Sequence, residues 1–579
     1  MIEKYQIEKS KDNYDILKIN TSSKSIYIGS KYNEKREIDK FINQIHIKTE
    51  NDVYIVLGLG MGNHIDELMK IKHPNALILI VECEEEWANK FKEENKRFNL
   101  NNLSVVKNTK ELKKFMYENI NEYNVDYLKI ISYANYNKIF KEELADIMAE
   151  INAYETTVKV NRNTKLAFAQ TWFKSTMANI KYLNKCEAIN EYKDRHKGKP
   201  AIIVSAGPSL NKNIEYLKKN TSAMVFCGGR TLKSVMNIDV NPDYTVIVDP
   251  MKESFELVNG YIDKIETNLI FNLGIQNDIL VNHRGKKIIY NNYKIIDELC
   301  NRNIGNLYAA GSVAHTMTSA AILMGCDPII FIGQDLAYTD DKGHADAASS
   351  PWQTNDIKNY ASNNDLFVKS VDGGVVRTSP ALYKFKCGIE TVINMNPNVK
   401  FINATEGGAL INGAENRKLS EVIDEYNLQV KKDEISNSSD IYDENINIRL
   451  KGKLNKSIVA IEKSLELYDE AIEVLKKFYN GINLGIKNQQ NYNDKLKKLD
   501  EGIYKLAADI IFCEDILYPA LYDSNHSEKY IITTDDNEKT TKMKIVQCNL
   551  DLYQNIRKTF AENISLFKNV LEEIKNVGE

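Results

Sequence analysis

The chain has 579 residues, of which 43% are hydrophobic and 27% are charged. This length exceeds a single ordinary core and the composition is that of a globular protein, so we expect several folded domains. The net charge of -4 comes from 76 basic and 80 acidic residues, which excludes the global positive field that attracts nucleic acids and anionic membranes. We therefore expect neither of these as a partner.

Two further features of the sequence bear on its compartment. No apolar stretch approaches the roughly 20 residues of a membrane helix, and MIEKYQIEKSKDNYD at the N-terminus has no apolar signal core. The eight cysteines form no CxxC pair and the eight histidines form no HExxH cluster, which disfavours disulfides and a structural zinc site. We expect a cytoplasmic protein with reduced thiols.

Residues 1–150 contain the pattern of a Rossmann-like domain. A buried-type strand at 53–57 is followed by Gly58-Leu59-Gly60-Met61-Gly62 and a helix, and a second strand at 76–81 ends in Glu82. A glycine-rich turn after one strand and an acid after the next can bind a phosphate and a ribose. The third glycine of the dinucleotide fingerprint is absent. The turn is therefore either a cofactor site or a packing feature of a degenerate Rossmann-like domain that is used for assembly or acceptor binding.

The next two segments are a predicted linker and a predicted catalytic domain. Apolar residues at helical spacing predict a helical linker over residues 151–195. Residues 196–414 then alternate strands and helices, which predicts an α/β domain with a parallel sheet covered on both faces. The predicted strands are 201–206, 223–228, 244–249, 268–272, 287–291, 327–333 and 400–404. Ligands of such sheets bind beyond the carboxyl ends of the strands.

The first strand of this domain ends in a tight corner, Ser205-Ala206-Gly207-Pro208-Ser209-Leu210. Gly207 permits a sharp turn, Pro208 fixes φ, and Ser209 stands at or near the N-cap of the next helix. The unpaired amides of that helix would bind an anion such as a phosphate. A well-capped helix without a ligand explains the same residues.

Other strand ends carry polar or small residues as well. Gly228-Gly229-Arg230 places a glycine pair before a cation, Asp249 is held extended by the proline after it, and Gly311-Ser312 begins another helix. A later strand ends in Gly333-Gln334-Asp335-Leu336-Ala337-Tyr338, with His344 in the loop beyond. Together with the first corner, these constellations at one edge of one sheet predict a nucleotide-sized site.

The remainder of the chain is a polar loop and a helical region. Residues between Asp335 and about Thr378 lack strand signals, so we predict a functional lid with Trp352 as a possible contact. Residues 415–579 show long amphipathic patterns that predict a bundle of three or four helices. Such a bundle would suit recognition of a helical partner. Self-association into a homo-oligomer would account for the same helical surface equally well.

The motifs GPSL, VDP, GSVAHT, GQDLAY with GHA, and NATEGGA carry a family resemblance. Together they resemble the Maf proteins, motility-associated factors of the domain-of-unknown-function 115 class. The GPSL turn and the GQDLAY strand end are also similar to those of bacterial family-42 sialyltransferases. The resemblance implies an inverting transferase that moves a pseudaminic or legionaminic type of nonulosonic acid from its CMP-activated donor to Ser or Thr of flagellin. This modification would serve flagellar assembly and motility, and it would require no cofactor.

The resemblance also implies roles for particular residues. It implies a donor-nucleotide site made by Gly207, Pro208, Ser209, Gly228, Gly229, Asp249, Gly311 and Ser312. Arg230 and Arg377 are candidates to pair with the donor carboxylate, because a guanidinium binds it through two hydrogen bonds. His344 is the first candidate for the catalytic base, since its ordinary pKa of about 6.5 suits proton acceptance. The alternatives are Asp335, Asp372 and Tyr338.

Three points stay open at this stage. We predict no metal site, although Asp249 and Asp335 at strand ends could bind a divalent ion. A second enzyme reading is a 6-hydroxymethylpterin diphosphokinase, which belongs to the same domain class and would need carboxylates for magnesium and ATP. A non-enzyme reading is a flagellin-binding chaperone with a relict nucleotide site.

Overall fold

The structure, a computed structural model, describes residues 4–20, 25–46, 48–94, 103–219, 222–291, 293–348, 362, 365–428, 443–485 and 490–576. The chain divides into two compact units. The N-terminal unit comprises Met1–Ala167, Lys463–Lys505 and Ile516–Ala561, and the central unit comprises Phe168–Glu462, Leu506–Asp515 and Glu562–Glu579. These two units are defined by contacts in space, and each combines segments that are distant in the sequence. The division into four segments along the sequence stays a prediction.

The N-terminal unit contains two sheets. An antiparallel meander consists of β1 (Tyr5–Lys9), β2 (Asp15–Asn20) and β3 (Ser25–Ile28). A parallel sheet of order β6-β5-β4-β7 consists of β4 (Val53–Leu57), β5 (Leu77–Val81), β6 (Leu103–Val106) and β7 (Leu128–Ser132). The helices before and between these strands are α1 (Glu34–Ile42), α2 (Asn63–Ile71), α3 (Glu85–Glu94) and α4 (Thr109–Asn119), and α5 (Tyr136–Ile139) and α6 (Lys141–Asn179) follow the sheet. The continuous apolar run of β4 is fully buried, as expected for a parallel strand covered on both faces.

The central unit is built on a nine-stranded sheet. Its strands are β8 (Glu187–Ala188), β9 (Ala201–Val204), β10 (Met224–Gly228), β11 (Tyr244–Ile247), β12 (Asn268–Phe271), β13 (Lys287–Ile289), β14 (Ile329–Ile332), β17 (Phe401–Asn403) and β18 (Glu415–Asn416). All neighbours in the order β18-β17-β14-β9-β10-β11-β12-β13-β8 run parallel. A separate antiparallel hairpin consists of β15 (Leu366–Lys369) and β16 (Val375–Thr378).

Helices connect the strands of this sheet. They are α7 (Leu210–Asn213), α8 (Gly229–Met236), α9 (Lys252–Val258), α10 (Asn277–Asn282), α11 (Lys294–Cys300), α12 (Val313–Leu323), α13 (Pro380–Met395) and α14 (Leu419–Glu425). From β9 the chain builds outward through β10 to β13, and it then returns to place β14 on the other side of β9. The chain that leaves β9 therefore continues to β10 on one side, and the chain that leaves β14 continues to β17 on the other side. Such a switch point opens a crevice at the carboxyl ends of the strands.

The C-terminal part of the chain is helical. It contains α15 (Glu444–Asn483), α16 (Gln490–Ala507), α17 (Cys513–His526) and α18 (Glu538–Asn576). The predicted fold class, mixed α/β with parallel sheets and a C-terminal helical region, is confirmed. Throughout the described ranges, no helix is both long enough and apolar enough to cross a membrane.

Candidate functional site

A cleft of about 260 Å³ lies at the carboxyl ends of the central strands, where the switch point opens the sheet. Its lining includes the last residues or following loops of β9, β10, β11 and β14, together with the start of α12. Of the residues predicted from the sequence, the cleft brings together Gly207, Gly228, Gly229, Arg230, Asp249, Ser312, Asp335 and His344. The carboxyl ends of four strands thus converge on one cavity.

Gly207 is required by the close packing of two loops. Its N–H donates to the carbonyl oxygen of Gly333 at 2.7 Å. A Cβ at Gly207 would lie 2.1 Å from Asp335 Oδ2 and 2.5 Å from the Gly333 carbonyl oxygen, both closer than any real contact. The loop after β9 can therefore approach the loop after β14 only with glycine at this position.

Ser209 lies outside the cleft lining and contacts the loop after β14. Its side chain is fully buried, and its hydroxyl donates to Asp335 Oδ2 at 2.6 Å. Its amide faces both carboxylate oxygens at 3.3 Å, and the side chain makes no capping bond to the described start of α7. Ser209 stands at the predicted N-cap position of α7, but its hydroxyl donates to Asp335 and therefore does not cap the helix. The anion at this turn is the protein's own carboxylate.

Asp335 is buried among the loops that it joins. Burial raises the pKa of its carboxyl group, and the hydrogen bonds from the Ser209 hydroxyl and amide oppose that rise. Its backbone carbonyl oxygen accepts from Ala409 N–H at 2.8 Å, and a Cβ at Gly408 would lie 2.3 Å from the same oxygen. The glycine pair of NATEGGA therefore lets that loop close over Asp335.

Three ionisable side chains line the cleft. Arg230 lies in the first turn of α8 and donates to the carbonyl oxygen of Ala348 at 3.4 Å. Burial raises the pKa of Asp249, which follows β11, and the positive charge of Arg230 opposes that rise. Burial lowers the pKa of His344 to about 4, and the charge of Arg230 lowers it further, while a hydrogen bond to the Ala206 carbonyl acts in the opposite direction. His344 is therefore a neutral imidazole at pH 7.

Two helices begin at the cleft. Gly229 is the first residue of α8, and Ser312 caps α12 by accepting from Ala314 N–H at 3.4 Å. A Cβ at Gly228 would lie 3.0 Å from Val313 Cγ1, so the starts of the two helices lie close together. Gly311, whose φ is +86°, turns the chain into the Ser312 cap but lies outside the cleft lining. The N-terminal ends of both helices favour a negatively charged ligand here.

The structure places Pro208, Tyr338, Asp372 and Arg377 outside the cleft. Tyr338 is buried, and its N–H donates to the carbonyl oxygen of Arg377 at 2.9 Å. Asp372 lies exposed in the turn of the β15–β16 hairpin and accepts from Gly374 N–H at 3.0 Å. Arg377 Nε donates to Asp365 at 2.9 Å. Trp352, the possible contact in the predicted lid, lies outside the described residues.

The glycine-rich turn of the N-terminal unit is filled by the protein's own side chains. Glu82 is buried and accepts from Leu59 N–H at 3.1 Å, from Glu84 N–H at 2.9 Å and from the Tyr136 hydroxyl. A Cβ at Gly58 would lie 2.7 Å from the Tyr136 ring. Burial raises the pKa of Glu82 to about 7. The acid that would bind a ribose in a cofactor site is here engaged by the turn itself.

The described residues contain no cluster of metal ligands, and several residues of the cleft lining were not predicted from the sequence. Within the described ranges, no three His, Cys, Asp or Glu side chains lie together as the ligands of a metal ion would. Leu382 and Phe385 of α13, Met317 of α12 and Ser254 of α9 line the cleft without having been predicted. Leu382, Phe385 and Met317 are apolar residues on helices, and their sequence pattern is that of ordinary core residues. Only the structure shows that they line the cleft.

Comparison with known proteins adds two similarities. A family model described as 6-hydroxymethylpterin diphosphokinase MptE-like matches residues 174–341, the segment from the end of α6 to just beyond β14. No curated protein matches the chain. A solved Maf glycosyltransferase from Magnetospirillum magneticum AMB-1 has a TM-score of 0.55 and 13% sequence identity over 100% of this chain and 95% of that chain. The chain therefore shares its fold with a Maf glycosyltransferase, and its cleft segment is similar to MptE-like proteins.

Proposed function

We propose that the protein is a glycosyltransferase that moves a nonulosonic acid, of the pseudaminic or legionaminic type, from a CMP-activated donor to Ser or Thr hydroxyls of flagellin. The observation that carries the proposal is the cleft in which Arg230, Asp249 and His344 meet beyond the strands of a parallel sheet. The motifs that resemble Maf proteins supply Asp249 and His344, and Arg230 follows the Gly228-Gly229 pair at the end of β10. The full-length similarity in fold to a Maf glycosyltransferase supports the same function.

The charges of the cleft suit the donor nucleotide. Because Asp335 already engages the Ser209 turn, we assign the phosphate to the starts of α8 and α12, where Arg230 supplies a cation. Asp249 can accept hydrogen bonds from ribose hydroxyls or from the exocyclic amine of cytosine. A carboxylate beside a phosphate would be repelled, so Asp249 belongs to the nucleoside end of the ligand.

His344 is suited to accept the proton of the acceptor hydroxyl. In the transfer, the hydroxyl oxygen forms a bond to the anomeric carbon while the bond from that carbon to the CMP oxygen breaks, and CMP leaves with the electron pair. The hydroxyl proton then moves to the neutral imidazole of His344. A phosphate bound beside Arg230 would offset the charge that depresses the His344 pKa. Donor binding would therefore make His344 a stronger base.

The proposal is tested by incubating purified protein and unmodified flagellin with CMP-pseudaminic acid or CMP-legionaminic acid. Intact-mass spectrometry of flagellin reports transfer directly. We expect a mass gain of one sugar residue or a multiple of it, and loss of that gain in His344→Ala. Full modification by His344→Ala would contradict the assignment of the base, and no modification with either donor would contradict the proposed substrate class.

The family-model match favours a second candidate function. Residues 174–341 are similar to a 6-hydroxymethylpterin diphosphokinase, and they contain most of the cleft. In that reaction the hydroxymethyl oxygen of the pterin would attack the β-phosphorus of ATP, and AMP would leave. ATP chemistry of this kind uses magnesium held by carboxylates. Formation of AMP from ATP, magnesium and 6-hydroxymethylpterin would support this candidate, and its absence would remove it.

A further inference from the structure

His315 in the first turn of α12 is fully buried, and both nitrogens of its ring have partners. Ser312 N–H donates to Nδ1 at 3.3 Å, and Nε2 lies 2.8 Å from the carbonyl oxygen of Phe385. A carbonyl oxygen can only accept, so Nε2 carries the proton and Nδ1 keeps its lone pair. These two contacts require the neutral tautomer of the ring, and burial lowers the His315 pKa in the same direction.

The two hydrogen bonds join two helices that form one wall of the cleft. Ser312 is the N-cap of α12, Phe385 lies in α13, and both line the cleft. A Cβ at Gly388, one turn after Phe385, would lie 2.5 Å from His315 Nε2, so glycine is what allows α13 to approach the ring. The His315 ring lies edge-on to the ring of Phe385, with centroids 6.1 Å apart.

We infer that His315 is a positioning residue of the donor cleft, which holds Phe385 of α13 against the start of α12 and so fixes the distance between these two parts of the wall. The inference rests on the proposed function, because it assigns the cleft to a CMP-linked donor. His315 itself lies behind the wall and outside the lining. Its effect on the donor therefore passes through Phe385 and Ser312.

Two isosteric substitutions separate the two hydrogen bonds. The amide nitrogen of His315→Gln can reach the place of Nε2 and keep the bond to the Phe385 carbonyl. The amide oxygen of His315→Asn reaches only the place of Nδ1, so it keeps the bond from Ser312 and loses the one to α13. Gly388→Ala disturbs the same contact from the other side without changing residue 315.

The experiment measures two quantities for each variant: the dissociation constant of CMP by calorimetry, and hydrogen exchange of the backbone amides in the first turns of α13. We expect His315→Asn and Gly388→Ala to weaken CMP binding about tenfold, the change that follows from loss of one buried hydrogen bond. In the same variants, the backbone amides in the first turns of α13 should exchange hydrogen faster than in the wild type. We expect His315→Gln to stay within about twofold of the wild type in both measurements. His283→Asn, another buried histidine of the central unit, is the control and should change neither.

The outcomes separate this inference from the proposed function. Absence of CMP binding by the wild type would count against the proposed function, while the difference in exchange between the Asn and Gln variants would still decide the role of His315. Equal exchange and equal affinity in His315→Asn and the wild type would overturn the inference. Equal losses in the Asn and Gln variants would also overturn it.

If His315→Asn does not fold, the ¹⁵N resonances of the wild-type imidazole decide instead. Protonation at Nε2 alone, kept when CMP is added, is the expected result. Protonation at Nδ1 would overturn the inference.

Discussion

The Ser209 hydroxyl donates to Asp335 Oδ2 at 2.6 Å across a separation of 126 residues in the chain. Both side chains are buried, and the Ser209 amide faces the same carboxylate. The hydroxyl and the amide of Ser209 therefore both have partners within the protein. The proposed position of the donor phosphate is instead in the cleft, which is lined by Arg230 and by the starts of α8 and α12.

This relationship predicts that Ser209→Ala acts on stability. Removing the hydroxyl leaves a buried carboxylate without its shortest hydrogen bond, which should lower the free energy of unfolding by about 1–3 kcal/mol. CMP affinity should change by less than about threefold, below 1 kcal/mol. Urea unfolding and calorimetry measure the two effects. Ser254→Ala in the cleft lining is the contrast, with a stability change within about 0.5 kcal/mol. Unchanged stability with abolished CMP binding in Ser209→Ala would restore the phosphate role.

Gly207 should tolerate no side chain. The methyl group of Gly207→Ala would collide with Asp335 Oδ2 and with a backbone oxygen, so we expect a loss of about 3 kcal/mol or more in the free energy of unfolding. Gly452→Ala is the matched control, because nothing lies within 4 Å of a Cβ at this exposed position in α15. It should stabilise the protein by up to about 1 kcal/mol. Similar melting temperatures for the two variants would show that the loops do not pack as described.

The two candidate arginines should behave differently. Arg230 lines the cleft, whereas Arg377 pairs with Asp365 outside it. We expect Arg230→Met to weaken CMP binding by about 10-fold to 100-fold, as loss of hydrogen bonds to a charged group does. Arg377→Met should leave the affinity within about twofold. The reverse pattern, measured by calorimetry, would move the anion site to the hairpin.

The pH dependence of transfer tests His344 as the base. Its pKa of about 4 keeps the imidazole unprotonated at neutral pH, so protonation should remove activity only as pH falls through about 4. For the free enzyme, kcat/KM should show no loss from this group between about pH 8 and pH 5. Initial rates of sugar transfer measure the profile. A loss centred near pH 6.5 would indicate an exposed histidine with an ordinary pKa.

Glu82 should make the stability of the protein depend on pH. Its folded-state pKa of about 7 lies above the ordinary 4.5, so its contribution is present below pH 4.5 and is lost as pH rises through 7. Glu82→Gln should therefore lessen the fall in unfolding free energy between pH 5 and pH 8, measured with urea, and leave CMP affinity unchanged. Glu142→Gln, an exposed acid in the first turn of α6, should keep the wild-type slope. An unchanged slope in Glu82→Gln would contradict the burial of this carboxyl.

Much of the central sheet could be predicted from the sequence. All seven predicted strands are present within a few residues, because each is an apolar run bounded by small or polar residues. The two-residue edge strands β8 and β18 carry no such pattern. Strand order could not be predicted either, because nothing local in the run 329–332 indicates that β14 pairs with β9.

The candidate site was predictable only for residues at a strand end or in the segment that follows one. Arg230, Asp249 and His344 meet because parallel strands bring their carboxyl ends to one edge. The role of Ser209 was missed because its partner is distant in sequence. Phe385 was missed because an apolar residue on a helix has the same appearance in a core and in a cleft.

The most direct test of the account is a calorimetric titration of the purified protein with CMP in EDTA, repeated with ATP and magnesium. We predict that CMP binds in EDTA, that Arg230→Met weakens this binding, and that ATP gives no heat of binding. Binding of ATP with magnesium, without binding of CMP, would contradict the account and favour the pyrophosphokinase. Binding of neither nucleotide would contradict both and favour the alternative of a flagellin-binding chaperone with a relict site.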